Sequence, residues 1–106
     1  MIIRQALFEG RIHEGQEAAF KAYVAGKLMP MWLEFPGVRE VRVLYAVERD
    51  EGAPAYPMVL STMYDSRDAL AEALGSPVRY ASREMTKGLL AMFDGVIHHH
   101  VFELSS

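Results

Sequence analysis

A chain of 106 residues, 51% apolar and 24% charged, is a single globular domain, large enough to bury a core and too apolar to be disordered. Its net charge of −3, with no basic stripe and no long run of either sign, argues against a nucleic-acid partner. Without cysteine it has no disulfide or thiol chemistry, and no apolar run approaches the ~20 residues that span a bilayer, so we expect a cytoplasmic protein with no membrane partner.

Residues 2–12, IIRQALFEGRI, alternate as a strand. Ile2, Arg4, Ala6, Phe8 and Ile12 share one parity; Ile3, Gln5, Leu7 and Glu9 share the other. The N-terminal stretch is too short and too polar for a signal peptide. His13-Glu14-Gly15 breaks the rhythm, and a helix is expected from about Gln16, with Glu14 and Glu17 where its dipole favours carboxylates. Phe20, Val24, Leu28 and Met31 recur at helical spacing, and Trp32 lies off that line. Pro30 has no N–H, and its ring opposes the carbonyl of Gly26. A kink is therefore expected, or a second short turn from Pro30 to about Phe35.

Pro36-Gly37 marks a turn. The second strand is expected over 38–47, with Val41, Val43, Tyr45 and Val47 on one face and Glu40, Arg42, Leu44 and Ala46 on the other. A polar loop with Gly52 and Pro54 leads to a third strand over 57–64, which Pro57 can open because no ladder donor is needed there. Asp65 or Ser66 caps the next helix, Leu70 and Leu74 give it a short stripe, and Gly75 suits its end. Ser76-Pro77 starts another helix, with Val78, Ala81, Met85, Leu89 and Met92 on one face. Asp94-Gly95 is expected to end it, and 96–104, VIHHHVFEL, form the last strand. The order β-α-β-β-α-β with right-handed crossovers gives an α+β, ferredoxin-like domain over 1–106: a four-stranded antiparallel sheet with helices on one face.

Such a sheet has a second face, which in a lone subunit should read polar. Here both parities carry large apolar residues: Val59 and Met63 oppose Met58, Leu60 and Tyr64, while Val96, Phe102 and Leu104 oppose Ile97 and Val101. Leaving either set in water exposes more apolar surface than monomers tolerate. A second copy is the simplest cover, so a homodimer is expected.

FKAYVAGKLMPMWLEFPGV resembles the first-helix motif of the EthD-like group of the dimeric α+β barrel superfamily: an aromatic-rich helix, a His-x-Pro-hydrophobic step, Pro-Gly and a strand. MYDSRDALAEALGSP resembles the same group's exit from the third strand. Antibiotic-biosynthesis monooxygenases and muconolactone isomerases share parts of the pattern. The resemblance implies a homodimer of barrel type, a pocket in each subunit near the sheet, and a cofactor-independent oxygenase- or isomerase-type enzyme of small-molecule metabolism. Leu28 stands where the group has its histidine, so no role of that histidine carries over.

His98, His99 and His100 are the most unusual residues. On a strand His98 and His100 share a face and His99 takes the other. Two imidazoles on one face can move a proton near neutral pH or bind a metal, which would want a third ligand such as Glu9 or Glu40; lining an interface or a wet pocket is the plainer role. No metal and no cofactor is expected. Arg42 either holds a carboxylate or enolate oxygen in a cavity or is a solvated, ion-paired arginine at the rim; Arg4 carries the same ambiguity. Trp32, Tyr64 and Tyr80 are the candidate walls for a small apolar or aromatic ligand, against the commoner role of aromatics as core. No P-loop, dinucleotide fingerprint, nucleophile elbow or H-E-x-x-H is present. Three readings remain. One is a cofactor-free enzyme with His98 or His100 as base and Arg42 on the anion; the others are a non-catalytic carrier of a small apolar ligand and an accessory subunit.

Overall fold

The computed structural model describes residues 1–105. Strand β1 (Ile2–Ile12) leads into helix α1 (Glu17–Tyr23), a π-helical turn (Val24–Leu28) and a last short helix α2 (Met29–Trp32). Strands β2 (Glu40–Tyr45) and β3 (Met58–Tyr64) follow, then helices α3 (Arg67–Leu74) and α4 (Pro77–Leu90) and strand β4 (Phe93–Glu103). The sheet is antiparallel throughout, in the order β2-β3-β1-β4, with the ferredoxin-like arrangement expected from the sequence. No helix is long and apolar enough to cross a membrane.

The helices pack on the parity of Ile2, Ala6 and Phe8, joined by Met58 and Tyr64 of β3. Phe20, Leu28, Met58 and Leu89 are wholly buried between the layers. Tyr23 ties α1 to α4 by donating to the Met85 carbonyl at 2.7 Å. The helices meet so closely there that a Cβ on Gly88 would lie 2.2 Å from the Tyr23 hydroxyl oxygen. Ser66 and Ser76 cap α3 and α4 by accepting from the amides of Ala69 and Arg79. Asp65, the other candidate cap, instead accepts two hydrogen bonds from Arg39, at 2.9 and 2.7 Å.

The second short turn expected at Pro30 is present as α2, which starts at Met29 and ends at Trp32; the preceding turn widens to π geometry, and Pro30 sits in the first turn of α2, where its missing N–H is no loss. Three local expectations need correction. A four-residue step overshoots an α turn and falls short of a π turn, so the widened turn cancels the drift. Trp32 therefore continues the Phe20-Val24-Leu28 stripe and is buried, while Met31 is only half-buried. On α4 Ala81 is exposed, and the buried positions are Ser82 and Leu89. Asp94-Gly95 lies inside β4 and does not end a helix. Gly95 faces Gly10 across the β1–β4 ladder, both at positive φ (152° and 145°). A Cβ on either would come within 2.1 Å of a backbone carbonyl oxygen, so only glycine fits this close crossing.

Candidate functional site

Between the sheet and the helices, under α2 and α4, the core opens into a pocket of about 370 Å³, within the range of small-ligand sites. Phe8, Trp32, Phe35, Leu60 and Ile97 give it an apolar lining, and three of these side chains are aromatic. Trp32 reaches it because the π turn holds the helical stripe in phase. The polar side is built from three elements. Arg4 projects from β1, His99 from the neighbouring position range of β4, and Arg79, Ser82, Arg83 and Thr86 recur at helical spacing along α4. A larger depression of about 500 Å³ lies beside the β2–β3 loop, but Glu17, Glu48, Lys21 and Arg49 give it charges of both signs.

The electrostatics of the smaller pocket are one-sided. No carboxylate lines it. Among the described residues the ion pairs are Arg11 and His13 with Asp94, Arg39 with Asp65, Arg42 with Glu40, Lys87 with Glu84 and His98 with Glu9; Arg4, Arg79 and Arg83 take part in none. Burial and then the charge of Arg79 pull Arg4 below its ordinary value. Burial, with the charges of Arg4, Arg79 and Arg83 and a smaller contribution from His98, holds the His99 imidazole down to about 4. His99 is therefore neutral at pH 7, with one ring nitrogen free to accept a proton. The hydroxyls of Ser82 and Thr86 donate back to the Arg79 and Ser82 carbonyls, each at 2.7 Å, so their hydrogens are committed to the helix. Arg79 spends one N–H on the Leu74 carbonyl at 3.3 Å.

Of the residues singled out from the sequence, Trp32 lines this pocket and is 4% exposed. Tyr64 is in the core; burial pushes its hydroxyl up, and that hydroxyl lies in the field of Arg4. Tyr80 is exposed on α4, near the Arg79 guanidinium. His98, His100 and Arg42 lie on the parity opposite His99, on the outer face of the sheet. There His98 donates from Nε2 to Glu9 at 2.7 Å, Arg42 donates to Glu40, and the His100 ring lies 5.9 Å from that of Phe102. Among the described residues no three His, Asp or Glu side chains gather as metal ligands. Sequence reasoning missed Arg79, Ser82, Arg83 and Thr86. Their i, i+3, i+4, i+7 spacing was the available signal, a polar stripe beside the apolar one on α4.

No family model and no curated protein matches the chain. Solved structures do. An EthD (ethyl tert-butyl ether) family protein from Bacillus halodurans superposes with a TM-score of 0.80 at 19% identity, over 99% of each chain. The chain has the fold of that protein. SnoaB, a cofactor-independent oxygenase from Streptomyces nogalater, matches with a TM-score of 0.66 at 20% identity, over 99% of this chain and 93% of its own. A dimeric protein of unknown function and ferredoxin-like fold from Bacteroides fragilis matches with a TM-score of 0.67 at 13% identity, over 97% of this chain and 95% of its own. The EthD-like resemblance read from the first helix and the exit of β3 thus extends over the whole fold.

Proposed function

We propose that the protein binds a small aromatic or carbonyl compound between its sheet and its helices and acts on it without a bound cofactor, with His99 taking a proton from the compound. The observation that carries this reading is the pairing of aromatic walls with one neutral imidazole in the same pocket. An imidazole neutral at working pH has the lone pair that proton abstraction needs. SnoaB, a cofactor-independent oxygenase, supports such chemistry on this fold. In this reading the proton transfer falls to His99 rather than to His98 or His100, and the anion is held by the pocket arginines rather than by Arg42.

A specific observation also favours a non-catalytic carrier. An imidazole held down to about 4 is a weak base, while the aromatic walls bind a ring regardless of base strength. Proton exchange separates the two. With 2-tetralone in D2O, an enzyme accelerates exchange of the α-protons, followed by NMR; His99→Ala abolishes the acceleration, and His98→Ala and His100→Ala retain it. Binding of 2-tetralone without accelerated exchange supports the carrier.

We further propose that a second copy covers the outer face. Leu44, Val96 and Phe102 are 49%, 55% and 45% exposed there, beside half-buried Ile3, Leu7, Val59 and Met63. The description of the Bacteroides fragilis protein as dimeric supports this arrangement. Sedimentation should find a dimer that Phe102→Glu dissociates; a wild-type monomer at micromolar concentration sinks the idea.

A further inference from the structure

We propose that the pocket under α2 and α4 takes an aromatic carboxylate, its ring against Trp32 and Phe35 and its carboxylate on the guanidiniums of Arg4 and Arg79. This rests on the pocket being the binding site, and deepens that reading by naming the substrate class.

Charge is what carries it. The chain has a net charge of −3 and only 11 Lys and Arg residues, yet three arginines from two distant segments converge on one small pocket that no acid lines. On the outer face Arg42 and His98 each have a carboxylate beside them. Arg4 and Arg79 are half-buried, and gathering like charges there is unfavourable unless something of opposite charge joins them. Arg4 makes no side-chain hydrogen bond or ion pair among the described residues, so its planar fork is free for a carboxylate's two oxygens. Ser82 and Thr86 have turned their hydrogens to the helix, which leaves the arginines as the main donors. The remaining lining is apolar and aromatic, as a ring requires.

The same carboxylate acts on His99. Arg4 from β1 and Arg79 and Arg83 from α4 act on that imidazole within the pocket, His98 adds a weaker charge from the other face of β4, and the Tyr64 hydroxyl of β3 acts on Arg4. The α2 segment brings only Trp32 and Phe35. An anion on the arginines offsets the charges that disfavour imidazolium, so His99 becomes a stronger base once the ligand is seated.

The test is calorimetric titration of the full chain at pH 7.5 with 2-naphthoate and its neutral isostere 2-naphthamide. Naphthoate should bind at least about tenfold more tightly. Arg4→Gln and Arg79→Gln should each erase most of that preference and leave the amide affinity unchanged; Arg4→Lys should keep part of it. If Arg4→Gln fails to fold, Arg79→Gln with Arg83→Gln decides instead. By NMR the His99 titration should move upward with naphthoate and stay put with naphthamide. Equal affinity for the two compounds, or a preference that survives in the Arg79→Gln/Arg83→Gln variant, overturns the carboxylate while the pocket stands. If neither compound binds, or Trp32→Ala leaves both affinities unchanged, the pocket itself fails and takes the carboxylate with it.

Discussion

The two faces of the sheet are built from similar residues and end in opposite conditions. On the helix side Phe8, Met58 and Tyr64 are at most 3% exposed; on the outer side Leu44, Val96 and Phe102 are roughly half-exposed. The histidine run of β4 is divided between them, His99 inward and its neighbours outward. Charges divide the same way. Outer cations sit beside carboxylates of their own strand or the next one, and inner cations have none. An outer face whose charges are satisfied is ready to be covered by another surface. An inner face with cations left over is ready to receive an anion.

Truncating each face measures the difference in covering. Met58→Ala should cost about 2–5 kcal/mol in urea unfolding, because the surrounding core cannot fully collapse onto the gap. Leu44→Ala, made where the chain is a single copy, should cost less than about 1 kcal/mol, since it removes a side chain already half in water. Equal losses would mean that the outer face is packed in the isolated chain. A smaller effect is expected where the helices meet over the inner face. Gly88→Ala places a methyl on the Tyr23 hydroxyl and should cost about 1–3 kcal/mol, whereas Tyr23→Phe removes the same hydroxyl and its bond to Met85 for about 1 kcal/mol. In the Tyr23→Phe background the alanine should become better tolerated.

The inward histidine adds a pH dependence. Its folded value of about 4 is below its ordinary 6.5, so the unfolded chain takes up the proton first. Stability from this residue is complete above about pH 6.5 and is lost as pH falls toward 4. His99→Gln should flatten that part of the stability–pH curve. If the curve is unchanged, neither burial nor the arginines hold this imidazole below its ordinary value.

Much of the fold was legible because local signals agreed. Alternation gave β1 its observed bounds, and Ser76-Pro77 gave α4 its start. Which parity faces the helices was not legible, since both parities of most strands are apolar and only the packing decides. Trp32 falls off the stripe if the turn before Pro30 keeps the α period; a π turn has no simple composition signal, although Gly26 before a proline was a hint. Asp94-Gly95 reads as a helix stop locally, and its role in the strand depends on Gly10, distant in sequence. The second strand was drawn too long at both ends, since the ladder to β3 runs only from Glu40 to Tyr45. The candidate site was least legible. Arg4 is one strand residue and Arg79 a helix residue far along the chain, and only the crossover of α4 over β1 and β4 makes them a group.

The smallest expected effect is the most useful for the outer face. Arg42 and Glu40 lie two apart on edge strand β2 and pair on one face, with the arginine side chain 71% exposed. In water such a pair contributes little, because both groups keep their hydration and the side chains lose freedom. A double-mutant cycle with Arg42→Gln and Glu40→Gln should therefore give a coupling of about 0.5 kcal/mol or less where the chain is a single copy, shrinking further as salt is added. If a second copy closes over this face, the pair passes into a drier environment, where breaking it leaves one charge unpaired. The coupling should then grow with protein concentration, in step with assembly. A small coupling that ignores concentration would place the pair outside the covered area and confine any contact between copies to the part of the sheet around Val96 and Phe102.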